Sequence, residues 1–259
     1  MITDLPTNHF KRGIASGTPQ IGLWLSLASP FATEIVAGAG FDWVLVDMEH
    51  SANDLSEVGH HLRATVGGTA EPVVRPPWNE PVMVKRLLDI GVRSFLFPFV
   101  QSAEEARRAV AATRYPPDGI RGVAVATRAN RYGRVPDYAK RAAEEICVLV
   151  QVETRRAMQE IEAIAAVDGV DGIFIGPSDL AADMGHLGNS QHPEVQDAIL
   201  EAGRRIRAAG KAPGYLSGRD EEIRRTLDGG FTFVAVGSDV AILARQSEAL
   251  VKTYKKAEA

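Results

Sequence analysis

The sequence predicts a parallel α/β fold, a single closed (β/α)8 TIM barrel, on three observations. Short apolar runs rich in Val, Ile, Leu and Phe alternate with longer segments of helical period. The runs are continuous rather than alternating in polarity, as expected of strands covered on both faces. The chain has 259 residues, enough for eight such units in one domain spanning 1–259, with no Pro/Ser-rich linker or break in composition to divide it.

In chain order the strands are expected at Ile21 to Leu27, Trp43 to Glu49, Pro72 to Pro76, Ser94 to Val100, Cys147 to Glu153, Gly172 to Gly176, Ala212 to Ser217 and Thr232 to Gly237. A helix is expected between each successive pair. Four junctions, GAGFDWVLVD, DIGVRSFLFPF, VDGVDGIFIG and DGGFTFVAVG, place Gly at a helix end directly before an apolar strand. There Gly supplies the left-handed cap that returns the chain to the sheet. Ser102 with Glu105 reads as a capping box, and Pro193 as a first helical residue. Val195, Ala198, Ile199, Ala202 and Ile206 share one helix face. The basic stretch from Gly119 to Asp137 is too long for a plain connection and is expected across one end of the barrel.

With 45% hydrophobic and 24% charged residues, composition excludes disorder as the main state. A net charge of -4 gives no general attraction for nucleic acid or anionic membrane surfaces. The single cysteine, Cys147, excludes an intrachain disulfide framework and any Cys-rich metal centre, and fits a reducing, cytoplasmic compartment. No signal-peptide-like start and no run of about 18 apolar residues is found, so no membrane partner is expected.

In this fold the strand C-terminal ends carry chemistry. Strand two ends in Asp47, Glu49 and His50, strand three in Arg75, strand five in Gln151 and Glu153, and strand six in Gly176, Pro177, Ser178 and Asp179. Carboxylates on adjacent ends, Glu153 and Asp179, suit a hard divalent cation such as Mg²⁺ or Mn²⁺, which takes one or two protein carboxylates and completes its shell with water and substrate oxygens. Arg75 beside them suits a substrate oxygen that becomes negative, as in an enolate. The bland readings stand beside these. The two acids can serve as helix caps or pair with Arg75, and a lone His50 is more often a hydrogen-bonded loop residue than a base. His60 and His61 read as surface or packing residues, His192 as a helix-start residue, and neither His186 nor His192 is assigned a role. Cys147 reads as an inert core thiol, Met83 and Met158 as core filler, and VAVGSD as a pocket floor rather than a phosphate loop.

LVDMEH, PVVRPPWNEPVMVKRLLDIG, RYPPDGIRGV, VLVQVE and DGIFIGPSDLAADMG, followed by HPEVQ and KAPG, closely resemble the HpcH/HpaI family of metal-dependent pyruvate aldolases. The resemblance runs from about Gln20 to about Gln246 in one order and spacing. It implies a divalent metal, Mg²⁺, Mn²⁺ or Co²⁺, on Glu153 and Asp179, chelated by pyruvate or a related 2-oxo acid such as hydroxypyruvate. It puts the N–H groups of Ser178 and Asp179 on the substrate carboxylate, Arg75 on the enolate oxygen and Gln151 beside it. Trp24 and Leu216 are placed in the substrate pocket. His50, Asp47 and an Asp89 lent by a neighbouring subunit form the base system. It further implies a homohexamer, a trimer of dimers with the final helix, Asp239 to Lys255, exchanged between subunits, and an aldehyde as second substrate. Ala124 to Arg134 and the pair Ser217 and Gly218 are expected to border that aldehyde.

The lysines give an independent check. An imine mechanism needs a desolvated Lys at a strand end. All seven, Lys11, Lys85, Lys140, Lys211, Lys252, Lys255 and Lys256, fall in tails, helices or at the entrance of a strand. The same carbon–carbon chemistry then needs a metal as electron sink. The expected activity is reversible cleavage of a 4-hydroxy-2-oxo acid to pyruvate and an aldehyde. The alternatives are a 2-dehydro-3-deoxy sugar-acid aldolase, another 2-oxo acid lyase or decarboxylase, or a non-catalytic barrel that binds a small acid.

Overall fold

Eight parallel strands close into a barrel in chain order in the computed structural model, which describes residues 3–255. They are β1 (Gln20–Leu25), β2 (Trp43–Asp47), β3 (Glu71–Arg75), β4 (Ser94–Phe97), β5 (Cys147–Val152), β6 (Gly172–Ile175), β7 (Ala212–Leu216) and β8 (Phe233–Ser238). Each begins within two residues of its expected start, and most stop one or two residues early, so that Glu49, Glu153 and Gly176 stand just beyond their strands. The helices are α1 (His9–Ala15), α2 (Pro30–Ala37), α3 (Leu55–Ala64), α4 (Pro81–Asp89), α5 (Ala103–Thr113), α6 (Tyr138–Arg141), α7 (Arg155–Gln159), α8 (Ile161–Ala165), α9 (Pro177–Asp183), α10 (Pro193–Ala208), α11 (Asp220–Asp228) and α12 (Asp239–Tyr254).

The barrel interior is filled by large rings. Trp24 lies 5.6 Å from Phe174, and Trp43 6.0 Å from Phe233, centroid to centroid. Glycines make the room: a Cβ on Gly22 would sit 2.2 Å from the Trp43 ring, and one on Gly214 2.1 Å from the Phe233 ring. Phe10 and Ile14 of α1 close the entrance at the strand N-termini, with Phe10 5.5 Å from Trp43. Truncating one of these buried rings to Ala should cost about 3–5 kcal/mol. Cys147 is fully buried in this inner cluster and burial pushes its thiol up, in keeping with an inert core role.

The glycine grammar holds at all four junctions, with φ of +102° at Gly40, +100° at Gly91, +92° at Gly169 and +83° at Gly230. Pro193 does open α10, capped by the side chain of His192. Three local expectations change. Ser102 caps α5 by accepting from the Glu105 N–H at 3.3 Å, but the Glu105 carboxylate turns to the N–H of Gln101 at 2.7 Å, so only half the box forms. Two short helices, α7 and α8, replace a single helix between β5 and β6, and two, α9 and α10, fill the β6–β7 connection.

The long 119–137 segment does cover one end of the barrel, the end opposite the strand C-termini. Ile120 donates to Ala111 O at 2.9 Å, Ala129 to Asp89 O at 3.1 Å, and Arg128 to Ile90 O at 2.9 Å, each a contact with the C-terminal end of α5 or α4. These helices run antiparallel to the strands, so carbonyls left free at their ends draw the segment there. Ala124 to Arg134 therefore do not border the site of their own chain.

Lys11, Lys85, Lys140, Lys211, Lys252 and Lys255 lie away from the strand C-termini, Lys11 and Lys211 donating to Ile146 O and Val170 O, each at 2.6 Å, at strand entrances. Lys256 lies outside the described residues. No helix among the described residues is long and apolar enough to cross a membrane.

Candidate active site

Register brings the first pair together. Asp47 and Arg75 are partners across β2 and β3 at the strand C-termini. Arg75 Nε donates to Asp47 Oδ1 at 2.9 Å and Nη2 to Oδ2 at 2.7 Å, a bidentate fork, with both side chains buried. Arg75 Nη1 lies 2.9 Å from Glu49 Oε2 and donates to Gln151 Oε1 at 3.5 Å. Trp24 completes the setting, its ring 5.0 Å from the guanidinium carbon and its Nε1 donating to Asp47 at 3.3 Å. Burial opposes the charge on Asp47, but the Arg75 bonds and charge, with the N–H groups of Glu49 and His50, outweigh it and hold the carboxyl below its usual range.

β5 supplies the second group. Glu153 is buried, with Oε1 accepting the Phe99 N–H at 2.9 Å and Oε2 the Gln151 amide at 2.6 Å. Phe99 donates from a left-handed backbone, φ +53°, a conformation a bulky residue rarely adopts. Gly176 must be glycine to pass here, since a Cβ would lie 2.4 Å from Glu153 Oε2. Burial, and after it the charges of Asp179 and Glu49, push the Glu153 carboxyl up to about 7, against the Gln151 and Phe99 hydrogen bonds. Burial likewise raises Glu49. Asp179 stands exposed in the first turn of α9, where Gly176 provides no side-chain cap.

These acids fit a cation. Glu49, Glu153 and Asp179 face one mouth, and the Arg75 guanidinium there is shared between Asp47 and Glu49. Glu49 Oε2 is buried, in ion-pair contact with Arg75 Nη1 at 2.9 Å but with no aligned hydrogen bond. Such groups either hold a proton or share a positive ion.

The structure departs from the sequence reading at Asp47, keeps Asp89 away from its own chain's site as that reading expects, and brings in Glu49. Asp47 does not orient the His50 imidazole: its oxygens are taken by Arg75, Trp24 and backbone N–H groups. The His50 ring is exposed at the rim, with Nε2 3.8 Å from Glu49. Asp89 lies at the opposite end of the barrel, paired with buried Arg121 at 3.3 Å, as the direction of its helix requires. Leu216 is half-buried against the inner core at the end of β7, and Ser178 is exposed on α9. Glu49 entered the sequence reading only as a strand-end residue, and its position between Asp47 and His50 was the available signal. Of the two readings, surface or packing, packing holds for His61. It is buried, bonded to Thr33 Oγ1 at 2.6 Å and Asn53 Oδ1 at 2.8 Å, and Asn53 in turn donates to Asp47 O at 2.7 Å, fixing the loop that carries Glu49 and His50. His186 and His192 stack at 3.6 Å with ring planes 13° apart, and His186 Nε2 lies 2.9 Å from Glu194, a cluster away from the residues described above.

With this geometry in place, the family model described as HpcH/HpaI aldolase/citrate lyase matches residues 20–245. The chain is a member of the HpcH/HpaI aldolase/citrate lyase family. It is 55% identical to a 4-hydroxy-2-oxo-heptane-1,7-dioate aldolase of Salmonella dublin over 95% of this chain and 94% of that one. An enzyme of the same name from Shigella sonnei is 54% identical over 95% of each chain. Among solved structures, an HpcH/HpaI family protein of Burkholderia cenocepacia superposes with a TM-score of 0.91 at 42% identity, covering 96% of this chain and 100% of that one. As a member of this aldolase family the chain is a carbon–carbon lyase with the (β/α)8 fold its sequence predicted.

Proposed function

We propose that this chain is a divalent-metal-dependent aldolase that reversibly cleaves a 4-hydroxy-2-oxo acid, of the class of 4-hydroxy-2-oxo-heptane-1,7-dioate, to pyruvate and an aldehyde. The observation that carries the metal half of this reading is the buried Glu153 carboxylate, pressed by Asp179 and Glu49 and raised to about 7. Glu153 and Asp179 would hold the cation. Once bound, it supplies Lewis-acid stabilisation for the negative charge that develops on the 2-oxo oxygen.

The chain's own groups do the rest. Arg75, immobilised by Asp47 and Trp24, keeps one N–H on Nη2 beyond its bond to Asp47 for an oxyanion, while Nη1 faces Glu49 and Gln151, and the fixed guanidinium needs no reorganisation as charge develops. The N–H groups of Ser178 and Asp179, in the first turn of α9, suit the substrate carboxylate. Gln151 bridges Arg75 and Glu153 and fixes both. In the cleavage direction a base takes the proton from the 4-hydroxyl as the C3–C4 bond breaks, and an acid returns a proton to C3 of the pyruvate enolate. His50, exposed at the rim beside Glu49, is positioned to exchange such protons with the substrate side of the site.

We also propose a homo-oligomer, with α12 exchanged between subunits and Asp89 serving a neighbour's site. α12 leaves Val240, Ile242, Leu243, Leu250 and Val251 exposed, and Ile120, Val123 and Val125 are exposed on the segment that includes Arg121, the partner of Asp89. Incubating the protein and Mg²⁺ with a panel of 4-hydroxy-2-oxo acids and sugar-derived 2-dehydro-3-deoxy acids, and identifying both products, tests the substrate class. Faster cleavage of the sugar acids would favour the sugar-acid aldolase; no cleavage of either would favour a binding barrel.

A further inference from the structure

A cavity of about 830 Å³ opens at the end of the barrel away from the strand C-termini, between the N-terminal segment, the end of α3, the entrance of β3 and residues 128–146. Its size suits a small metabolite. Four arginines line it, Arg93, Arg128, Arg131 and Arg134, against two acids, Glu71 and Glu145.

Both acids are already matched. Glu71 pairs with Arg93 at 2.9 Å, and Glu145 with Arg12 at 2.6 Å while accepting the Asn8 N–H at 2.6 Å. Arg128 is held by carbonyls at the ends of α4 and α3, Ile90 O at 2.9 Å and Leu62 O at 3.5 Å, so helix capping accounts for its position. Capping does not account for the next two. Arg134 bonds only the Arg131 carbonyl, at 3.0 Å, and lies over the Tyr132 ring. Arg131 Nε is buried with no partner among the described residues. Burial, and after it the charges of Arg63, Arg93 and Arg131, push the Arg128 guanidinium down, against an opposing contribution from Tyr132. A concave surface of one sign concentrates its field on an entering ion.

The remaining wall is apolar and aromatic, with Leu62, Val66, Ile146, Tyr132 and Tyr138. We propose that this cavity binds a small organic anion, its carboxylate, sulfonate or phosphate oxygens on Arg131 and Arg134 and its apolar body against Tyr132, Val66 and Leu62. The cavity shares no residue with the Glu153 and Asp179 mouth of its own chain.

Fluorescence titration of the intact protein with 8-anilinonaphthalene-1-sulfonate, an anion on an aromatic body, tests the assignment. One probe should bind saturably per chain, and Mg²⁺ with pyruvate should leave it in place. The double variant Arg131→Gln with Arg134→Gln should weaken binding by about tenfold or more, the loss expected for charge-assisted hydrogen bonds. Val66→Glu, at an exposed position that folding tolerates, should weaken it similarly by placing a negative charge at the mouth. Val66→Glu, outside both the strand C-terminal mouth and the 124–134 stretch, should keep its turnover. Absence of saturable binding, wild-type affinity in either variant, or displacement by Mg²⁺ with pyruvate would each overturn the proposal.

Discussion

Arg75 grips Asp47 through two parallel hydrogen bonds, at 2.9 and 2.7 Å, and both side chains are buried at the strand C-termini. This fork fixes the guanidinium before any substrate arrives, and its plane is set by a carboxylate that can do little else. An ammonium keeps the charge but cannot satisfy both Asp47 oxygens while also reaching Glu49 and Gln151. Arg75→Lys should therefore lower kcat by roughly 10² or more, with metal affinity little changed. Steady-state kinetics beside a Mn²⁺ titration check this. Normal turnover with weakened metal would make Arg75 a structural partner of the acids.

A cation on Glu153, as proposed, would tie metal binding to pH. Its carboxyl holds a proton up to about 7 in the metal-free fold, against 4.5 for the ordinary group. A cation competes with that proton, so Mn²⁺ affinity should strengthen as pH rises from 6 towards 8 and then level off. The sign for folding is opposite. The folded state binds the proton more tightly than the unfolded one, so the metal-free protein should lose stability as pH climbs from about 4.5 through about 7, and Mn²⁺ should restore it. Calorimetric titration and thermal unfolding at both ends of this range measure the two effects, and a pH-independent affinity would remove Glu153 from the metal site.

The proton-transfer role proposed for His50 can be tested without disturbing the fold, since its ring is exposed and its nearest acid contact is Glu49 at 3.8 Å. His50→Ala should keep stability, metal and pyruvate binding, and lose a factor of about 10² to 10⁴ in cleavage. Loss of the metal in this variant would move His50 into the coordination shell.

Asp89 tests the assembly. Subunits carrying Asp89→Asn and subunits carrying His50→Ala are each expected to be nearly inactive. If sites are shared across an interface, mixed oligomers of the two should regain activity, because some interfaces then combine intact halves. Unchanged kinetics in Asp89→Asn, or a fully active monomer by light scattering, would confine the site to one chain.

Much of this arrangement was legible in the sequence, and for definable reasons. Strand ends are where apolar runs meet polar residues, so Asp47, Arg75, Gln151, Glu153 and Asp179 could be placed at one mouth from periodicity alone. Which of them touch was not legible, because contact depends on register: Asp47 faces Arg75 across β2 and β3, and this pairing takes Asp47 away from His50. Glu49 passed as a loop acid because nothing local shows that its oxygen is buried. His61 sits on an amphipathic helix, where a satisfied buried imidazole and a surface one look alike, and only the contacts of Thr33 and Asn53 separate them. The 119–137 segment was recognisable as covering one end, but the end was set by the free carbonyls of α4 and α5.

The central claim is that a divalent cation on Glu153 and Asp179, and no imine, drives the cleavage. The most direct measurement is the rate of pyruvate release from a 4-hydroxy-2-oxo acid, followed with lactate dehydrogenase, before and after exhaustive chelation and on adding back Mg²⁺, Mn²⁺ or Co²⁺. The expected result is loss of activity on chelation, recovery with the cation, and no recovery in Glu153→Gln. Full activity after chelation, or borohydride trapping of pyruvate on a lysine, would contradict it.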